Sequence, residues 1–197
     1  MKTLIDFIDF IDNRSAIVLL EGKRTVAEVD MPRLIALGKL LASHTKGAIF
    51  RSGNAPGADE LFCEGVISVD QTRLKVITPY KGHRQKANLA YETISLEQVN
   101  LVAEPEVVYQ SKLNHKTEKL IDQFVSGERN PLAMKAAYII RDTVKVLGTQ
   151  EIPPATFAIF YGNLDNPRTG GTGHTMNVCE KNGVPFIDQR IWFEWLK

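Results

Sequence analysis

The 197-residue sequence has only two cysteines, Cys63 and Cys179, and they lie far apart. Such a low count excludes a disulfide framework and is typical of a protein from a reducing compartment. The four histidines are scattered without the spacing of zinc ligands. We therefore expect two buried structural thiols, and no metal and no cofactor.

Long apolar runs are also missing from the chain. No stretch approaches the roughly 20 apolar residues that a membrane span needs. The N-terminal segment 1–10 carries Asp6 and Asp9 among its apolar residues, which argues against a signal peptide. These features predict a cytoplasmic protein without a membrane partner.

A large excess of either charge is lacking as well. With 24 Lys and Arg against 23 Asp and Glu, the formal net charge is +1. The whole chain therefore gives no electrostatic reason to expect a nucleic-acid partner, although a local basic patch stays open. The hydrophobic content of 44% is sufficient for a buried core and excludes a wholly disordered chain.

Apolar runs and helical periodicity instead alternate along the sequence. We predict strands at 15–20, 47–51, 74–78, 101–109, 156–161 and 184–187, and helices at 31–43, 58–69, 116–125, 131–147 and 175–182. Asn130 and Gly148 are the expected caps of the helix at 131–147. Alternating strands and helices favour an α/β fold, with a mainly parallel sheet flanked by helices. Without a linker or repeat, 1–197 is interpreted as a single domain with its core at about 15–187.

Two glycine-rich segments, 51–59 and 170–175, each lie between a predicted strand and a predicted helix. Ligands bind at the carboxyl ends of such strands, and glycines allow the backbone to approach a phosphate closely. The alternative is that both segments are plain turns before helices. The candidate ligand-binding residues are Arg51, Ser52, Gly53, Asn54, Gly57, Ala58, Asp59, Gly170, Gly171, Thr172, Gly173, His174 and Thr175.

Several further residues have both a functional and a structural interpretation. Arg141 either faces the ligand or lies on a solvated helix surface. A short basic cluster, Lys81, His83 and Arg84, either receives a phosphate or forms an ordinary loop. Trp192 and Trp195 are expected to seal the core or to form a contact in a homo-oligomer.

These motifs resemble the SLOG superfamily, which includes DNA-processing protein A (DprA) and the Lonely Guy phosphoribohydrolases. The segment 52–59 is similar to its SGG-x-x-GAD motif, and 170–175 looks like the GGTGHT loop of short DprA-like phage and plasmid proteins. Segments 78–82 and 141–148 also resemble these relatives. The resemblance covers 15–187 and implies a Rossmann-like domain that binds a nucleotide or nucleotide sugar at its strand ends.

The sequence departs from this pattern at two places. Asn54 replaces the second glycine of the first motif, and Glu180 is displaced from the position of the catalytic glutamate in the phosphoribohydrolases. Three functions therefore stay open, and turnover is undecided. The first is binding of a nucleotide-derived small molecule between the two loops. The second is a nucleotide N-glycosidase with Asp59 as its catalytic candidate, and the third is DprA-like binding of single-stranded DNA.

Overall fold

The computed structural model describes residues 3–12 and 15–197, so Met1 and Lys2 of the N-terminal segment lie outside it. Six strands form one sheet: β1 (Ile17–Gly22), β2 (Ile49–Ser52), β3 (Leu74–Thr78), β4 (Glu92–Ser95), β5 (Phe157–Tyr161) and β6 (Phe186–Asp188). Their order is β4-β3-β2-β1-β5-β6, and in the described residues each pair of neighbouring strands is parallel. The predicted parallel α/β fold is thereby confirmed.

Eight α-helices flank this sheet in the described part of the chain. They are α1 (Leu4–Asp12), α2 (Met31–His44), α3 (Ala58–Asp70), α4 (Pro105–Ser111), α5 (His115–Val125), α6 (Ala133–Leu147), α7 (Gly170–Lys181) and α8 (Gln189–Trp192). Short 3-10 turns join several of these elements. Within 3–12 and 15–197, no helix is long and apolar enough to cross a membrane.

The alternation of side chains along β1 divides the core into two sides. Val18 and Leu20 pack with α1, α2, α3 and α8 on one face of the sheet. Leu19 points to the other face and packs with α6 and α7. This division arises because successive side chains of a strand point to opposite faces of the sheet. Glu21, which follows Leu20, therefore lies on the same face as Leu19.

The two predicted capping residues lie at the ends of α6, although the helix begins at Ala133, two residues later than predicted. The Asn130 side chain accepts hydrogen bonds from the backbone amides of Leu132 and Ala133, at 3.0 and 2.8 Å. At the other end, Gly148 adopts a φ of 69°, and its amide donates to the Val144 carbonyl. Both Cys63 and Cys179 are buried free thiols, as expected. Trp192 is fully buried and donates its indole N–H to the Phe160 carbonyl at 3.0 Å.

The structure differs from the sequence prediction at four places. The strand expected at 101–109 is wrong: a 3-10 turn at Leu101–Ala103 leads into α4, because Pro105 occupies a first-turn position that favours a helix. The edge strand β4 and the helix α1 were not predicted. The second glycine-rich segment is also not a loop, since α7 begins at Gly170 and includes all of 170–175.

Candidate functional site

A cleft opens at the carboxyl end of β1, where the chain reverses its direction across the sheet. Strands β2 to β4 lie on one side of β1 and strands β5 and β6 on the other. Open α/β sheets bind ligands at this crossover point because the connections leave toward opposite faces there. The cleft, called the main cleft below, measures about 370 Å³. Its lining includes Glu21–Arg24, Ala55, Asp59, Tyr138, Ile139, Arg141, Asp142, Lys145 and Thr169–Thr172.

The glycines of the first segment mainly permit close packing within the protein. A methyl group on Gly53 would collide with the Arg141 guanidinium, and one on Gly57 would collide with the Arg24 carbonyl. Gly57 also has a φ of 84°. Asn54, the departure from the family motif, has a φ of 54°, a left-handed conformation that asparagine tolerates better than most residues. This part of the segment therefore forms the structural side of the site.

The carboxylate of Asp59 joins the ends of two strands. One oxygen accepts the Gly22 amide at 3.0 Å, and the other accepts the Gly53 amide at 3.1 Å. Asp59 is almost fully buried, although it contributes to the floor of the main cleft. Both oxygens already accept backbone hydrogen bonds. This geometry gives Asp59 a structural role, because it holds the chain together at the ends of β1 and β2 beneath the cleft.

Buried charged side chains form the floor between β1 and α6. The Lys145 ammonium lies 2.6 Å from a Glu21 oxygen and 2.9 Å from an Asp142 oxygen. Arg141 approaches Asp142 to 3.0 Å and donates to the Gly53 carbonyl. Each of these four residues is at most 5% exposed, so the ion pairs are shielded from water. Truncating one partner would leave an uncompensated buried charge.

Burial shifts the proton equilibria of this cluster. Loss of water around Glu21 raises its pKa to about 7, although the Lys145 charge acts in the opposite direction. For Asp142, burial also acts to raise the pKa, but Arg141 and Lys145 outweigh it and hold the pKa below its usual range. The neighbouring carboxylates keep the pKa of Lys145 above its ordinary value despite burial. Glu21 therefore exchanges its proton near neutral pH while Lys145 stays charged.

The first turn of α7 forms one wall of the main cleft. Thr169 precedes the helix and makes no side-chain cap. Within the described residues, the amides of Gly170, Gly171 and Thr172 have no hydrogen-bond acceptor. Gly170 has a φ of 65° and open space beside it, whereas a methyl group on Gly171 would lie 3.0 Å from an Asp142 oxygen. Free amides at a helix start suit an anionic group.

The remaining residues of the second segment lie behind this wall. Thr175 is buried and donates from its hydroxyl to Glu21 at 2.9 Å. Gly173 packs so closely on the Arg168 backbone that a methyl group would collide with it. The His174 Nε2 lies 2.9 Å from the Thr143 hydroxyl, and burial lowers the pKa of this imidazole. His174 faces a second cleft.

This second cleft, called the side cleft below, measures about 330 Å³. It is lined by Leu113, Asn114, Thr117, Ile139, Arg168, Gly170, Gly171, His174 and Asn177. Because Ile139, Gly170 and Gly171 line both clefts, the two spaces adjoin across the start of α7.

Several predicted site residues lie outside the main cleft. Arg51 is buried and donates to the carbonyls of Lys145 and Pro153, at 2.9 and 2.8 Å. Ser52 and Ala58 are fully buried. Asp59, Arg141, Gly170, Gly171 and Thr172 are the predicted residues that the structure brings together in the lining. Whether any of them contacts a ligand stays a prediction.

The rim of the main cleft carries positive charge. Lys23 and Arg24 line it and form no ion pair within 3–12 and 15–197. Arg84, from the predicted basic cluster, is instead paired with Glu60 at 2.8 Å. The carboxylates of the floor are largely balanced by Arg141 and Lys145, so the two rim cations give the cleft a positive edge.

Sequence reasoning missed Glu21, Asp142 and Lys145. Glu21 directly follows the apolar run at 15–20 that predicts the first strand. Asp142 and Lys145 are three residues apart, next to the apolar stripe of α6. Two signals in the sequence could have indicated these residues. One is a carboxylate at the end of a buried strand, and the other is an acidic and a basic residue at helical spacing on a largely apolar helix.

The fold and the crossover cleft define an α/β protein of Rossmann-like arrangement. The described residues contain no group of three His, Cys, Asp or Glu side chains placed to hold a metal ion. No family model matches the sequence, and no curated protein matches it.

Among solved structures, the chain is similar to DNA processing protein A from Helicobacter pylori, which was studied for its binding of single-stranded DNA. The identity is 14% and the TM-score 0.47, with 89% of this chain and 66% of that chain covered. The chain thus spans slightly less than two thirds of that structure.

Proposed function

We propose that the main cleft binds a phosphorylated, nucleotide-derived small molecule. The observation that carries this proposal is the meeting of both glycine-rich segments at the crossover point of the sheet. In the part of the chain that the structure describes, three backbone amides of the wall have no acceptor, and the rim adds Lys23 and Arg24. An anionic group is the natural partner of both features.

A thermal-shift panel tests this proposal with AMP, ADP, ADP-ribose and NAD as separate additions. A ligand at one hundred times its dissociation constant stabilises the fold by roughly 2.7 kcal/mol, which raises the unfolding midpoint measurably. The matched variants are Ala55→Glu and Ala55→Gln, which place side chains of nearly equal size in the cleft. Ala55→Glu should abolish the shift by repulsion, whereas Ala55→Gln should retain more of it. If both variants lose the ligand-induced rise of the unfolding midpoint equally, or if the wild type shows no such rise, the proposal of an anionic ligand is contradicted.

Binding of single-stranded DNA is a second candidate, and the adjoining clefts favour it. The two clefts, of about 370 and 330 Å³, lie next to each other at the start of α7 and together offer space for more than one nucleotide unit. A short oligonucleotide should then bind more tightly than AMP, with an affinity that falls steeply as salt is raised. Binding of mononucleotides alone would reject this candidate.

Hydrolysis of a nucleotide N-glycosidic bond is a third candidate, favoured by Glu21. Its carboxyl lines the cleft, and its pKa of about 7 lets it accept or give a proton near neutral pH. In this reaction water adds to C1′ as the C1′–N bond breaks. The carboxylate takes the proton of the attacking water, and the leaving base takes a proton from the solvent. Free base should appear on incubation with a nucleotide, and Glu21→Gln should abolish it. Turnover that persists in Glu21→Gln would remove this role.

A further inference from the structure

Three aromatic rings form a cluster at one end of the main cleft. Tyr138 lines the cleft from α6, while Tyr80 and His83 come from the segment after β3. The centroid of the Tyr138 ring lies 6.3 Å from that of Tyr80 and 5.7 Å from that of His83, with the ring planes nearly perpendicular. The edge-to-face contacts hold Tyr138 in a fixed orientation at the cleft.

The cluster carries no charge of its own near neutral pH. Burial, followed by the charges of Arg141, Arg84 and Arg24, lowers the pKa of His83 to about 4. Burial and a hydrogen bond with Tyr80 raise the pKa of Tyr138 above its ordinary value. The cleft therefore ends in a neutral aromatic surface, and the Arg141 guanidinium carbon lies over the Tyr138 ring, 5.9 Å from its centroid.

Tyr138 is also next to the groups that would hold a phosphate. It lies three and four residues before Arg141 and Asp142, so it shares their face of α6. Arg24 is exposed, lines the same cleft and lies near enough to influence the proton equilibria of both His83 and Tyr138. An aromatic surface beside the Arg24 guanidinium, which has no ion-pair partner among the described residues, matches a ligand with a planar ring and an anionic group.

We infer that Tyr138 is the platform on which the nucleobase of the ligand stacks, with the phosphate directed to the rim cations and the start of α7. This inference rests on the proposed nucleotide-binding function and adds the location of the base. A base–aromatic stack tolerates different bases, since each base presents a π face. The platform therefore predicts preference for a base-bearing ligand over a bare sugar phosphate.

Calorimetric titration with AMP and with ribose 5-phosphate separates the two parts of the ligand. Tyr138→Leu should weaken AMP roughly 5- to 150-fold, the range found when a stacking ring is removed. It should leave ribose 5-phosphate within about twofold. Tyr138→Phe keeps the ring and should keep most of the AMP affinity. Tyr91→Leu is the control, because Tyr91 is exposed and does not line the cleft.

A fluorescent probe reports stacking directly. The 5′-monophosphate of 2-aminopurine riboside should lose fluorescence on binding to the wild type and to Tyr138→Phe, but not to Tyr138→Leu. Binding to the wild type without quenching overturns the inference, even if Tyr138→Leu fails to fold. Equal weakening of AMP and ribose 5-phosphate in Tyr138→Leu overturns it too, because the ring would then only support the fold.

The remaining outcomes separate this inference from the function on which it rests. If wild type binds ribose 5-phosphate as tightly as AMP, the platform is rejected while the phosphate site stands. If neither compound binds and a 2-aminopurine oligonucleotide is not bound either, both proposals fail. Quenching of that oligonucleotide, with much weaker binding of AMP, supports the platform and identifies single-stranded DNA as the source of the base.

Discussion

The replacement Glu21→Gln tests whether the floor of the main cleft holds a proton near neutral pH. Glutamine keeps the size of the side chain but cannot titrate. In the wild type, burial raises the pKa of Glu21 from 4.5 to about 7. Between these values the folded protein binds a proton that the unfolded chain has released. The stability that this proton supplies is fully present below pH 4.5 and is lost as the pH rises through 7.

The difference in pKa sets the magnitude of the effect. A shift from 4.5 to about 7 corresponds to about 3 kcal/mol, since one pKa unit is worth roughly 1.4 kcal/mol. The wild type should therefore lose about 3 kcal/mol relative to Glu21→Gln between pH 4 and pH 8. His83 titrates in both proteins, so its contribution cancels to a first approximation in the difference.

Urea unfolding of both proteins at closely spaced pH values measures this difference. The quantity of interest is its change with pH, because its absolute value also includes the hydrogen bonds that glutamine alters. Glu64→Gln, on the exposed surface of α3, gives the background pH dependence of the same chemical change. A stability difference between wild type and Glu21→Gln that is flat from pH 4 to 8 would refute the assignment of this proton to Glu21.

Other substitutions test neighbouring features. Asp59→Asn retains one acceptor oxygen for two backbone amides, and equilibrium unfolding should show a loss of about 1–3 kcal/mol; an unchanged midpoint would show that the bridge is dispensable. Lys145→Met leaves two buried carboxylates without their shared cation. In the same assay the free energy of unfolding should fall by about 3–5 kcal/mol. A smaller loss would mean that water reaches the cluster. Burial raises the pKa values of Cys63 and Cys179 to about 12, so a thiol reagent at pH 8 should label them only in urea, and rapid native labelling would contradict their burial.

The sequence allowed the fold to be predicted where local patterns agree with the tertiary structure. The apolar runs at 15–20 and 156–161 became two neighbouring strands of the buried sheet. The capping bonds of Asn130 and the left-handed conformation of Gly148 could be predicted because they depend on adjacent residues alone. The segment around β4 was missed because this short, partly exposed edge strand has little apolar signal and forms through its pairing with β3.

The candidate site could be predicted only in part, for a related reason. Both glycine-rich segments were recognised, since their small residues are contiguous in the sequence. The ion pair between Lys145 and Glu21 joins residues that are 124 positions apart, so no local sequence pattern indicates it. Glycine alone also does not distinguish close packing, as at Gly53, from open space, as at Gly170.

The carboxylate of Asp59 has a consequence for the opening motions of the protein. The pairing of β1 with β2 ends at Leu19 and Arg51, so the amides of Gly22 and Gly53 lie beyond the ladder between these two strands. Amides at strand ends usually exchange their hydrogens with water quickly when no neighbouring strand accepts them, whereas these two donate to a buried acceptor. Hydrogen exchange there should be as slow as in the strands, and the strand ends beneath the cleft should open together with the sheet.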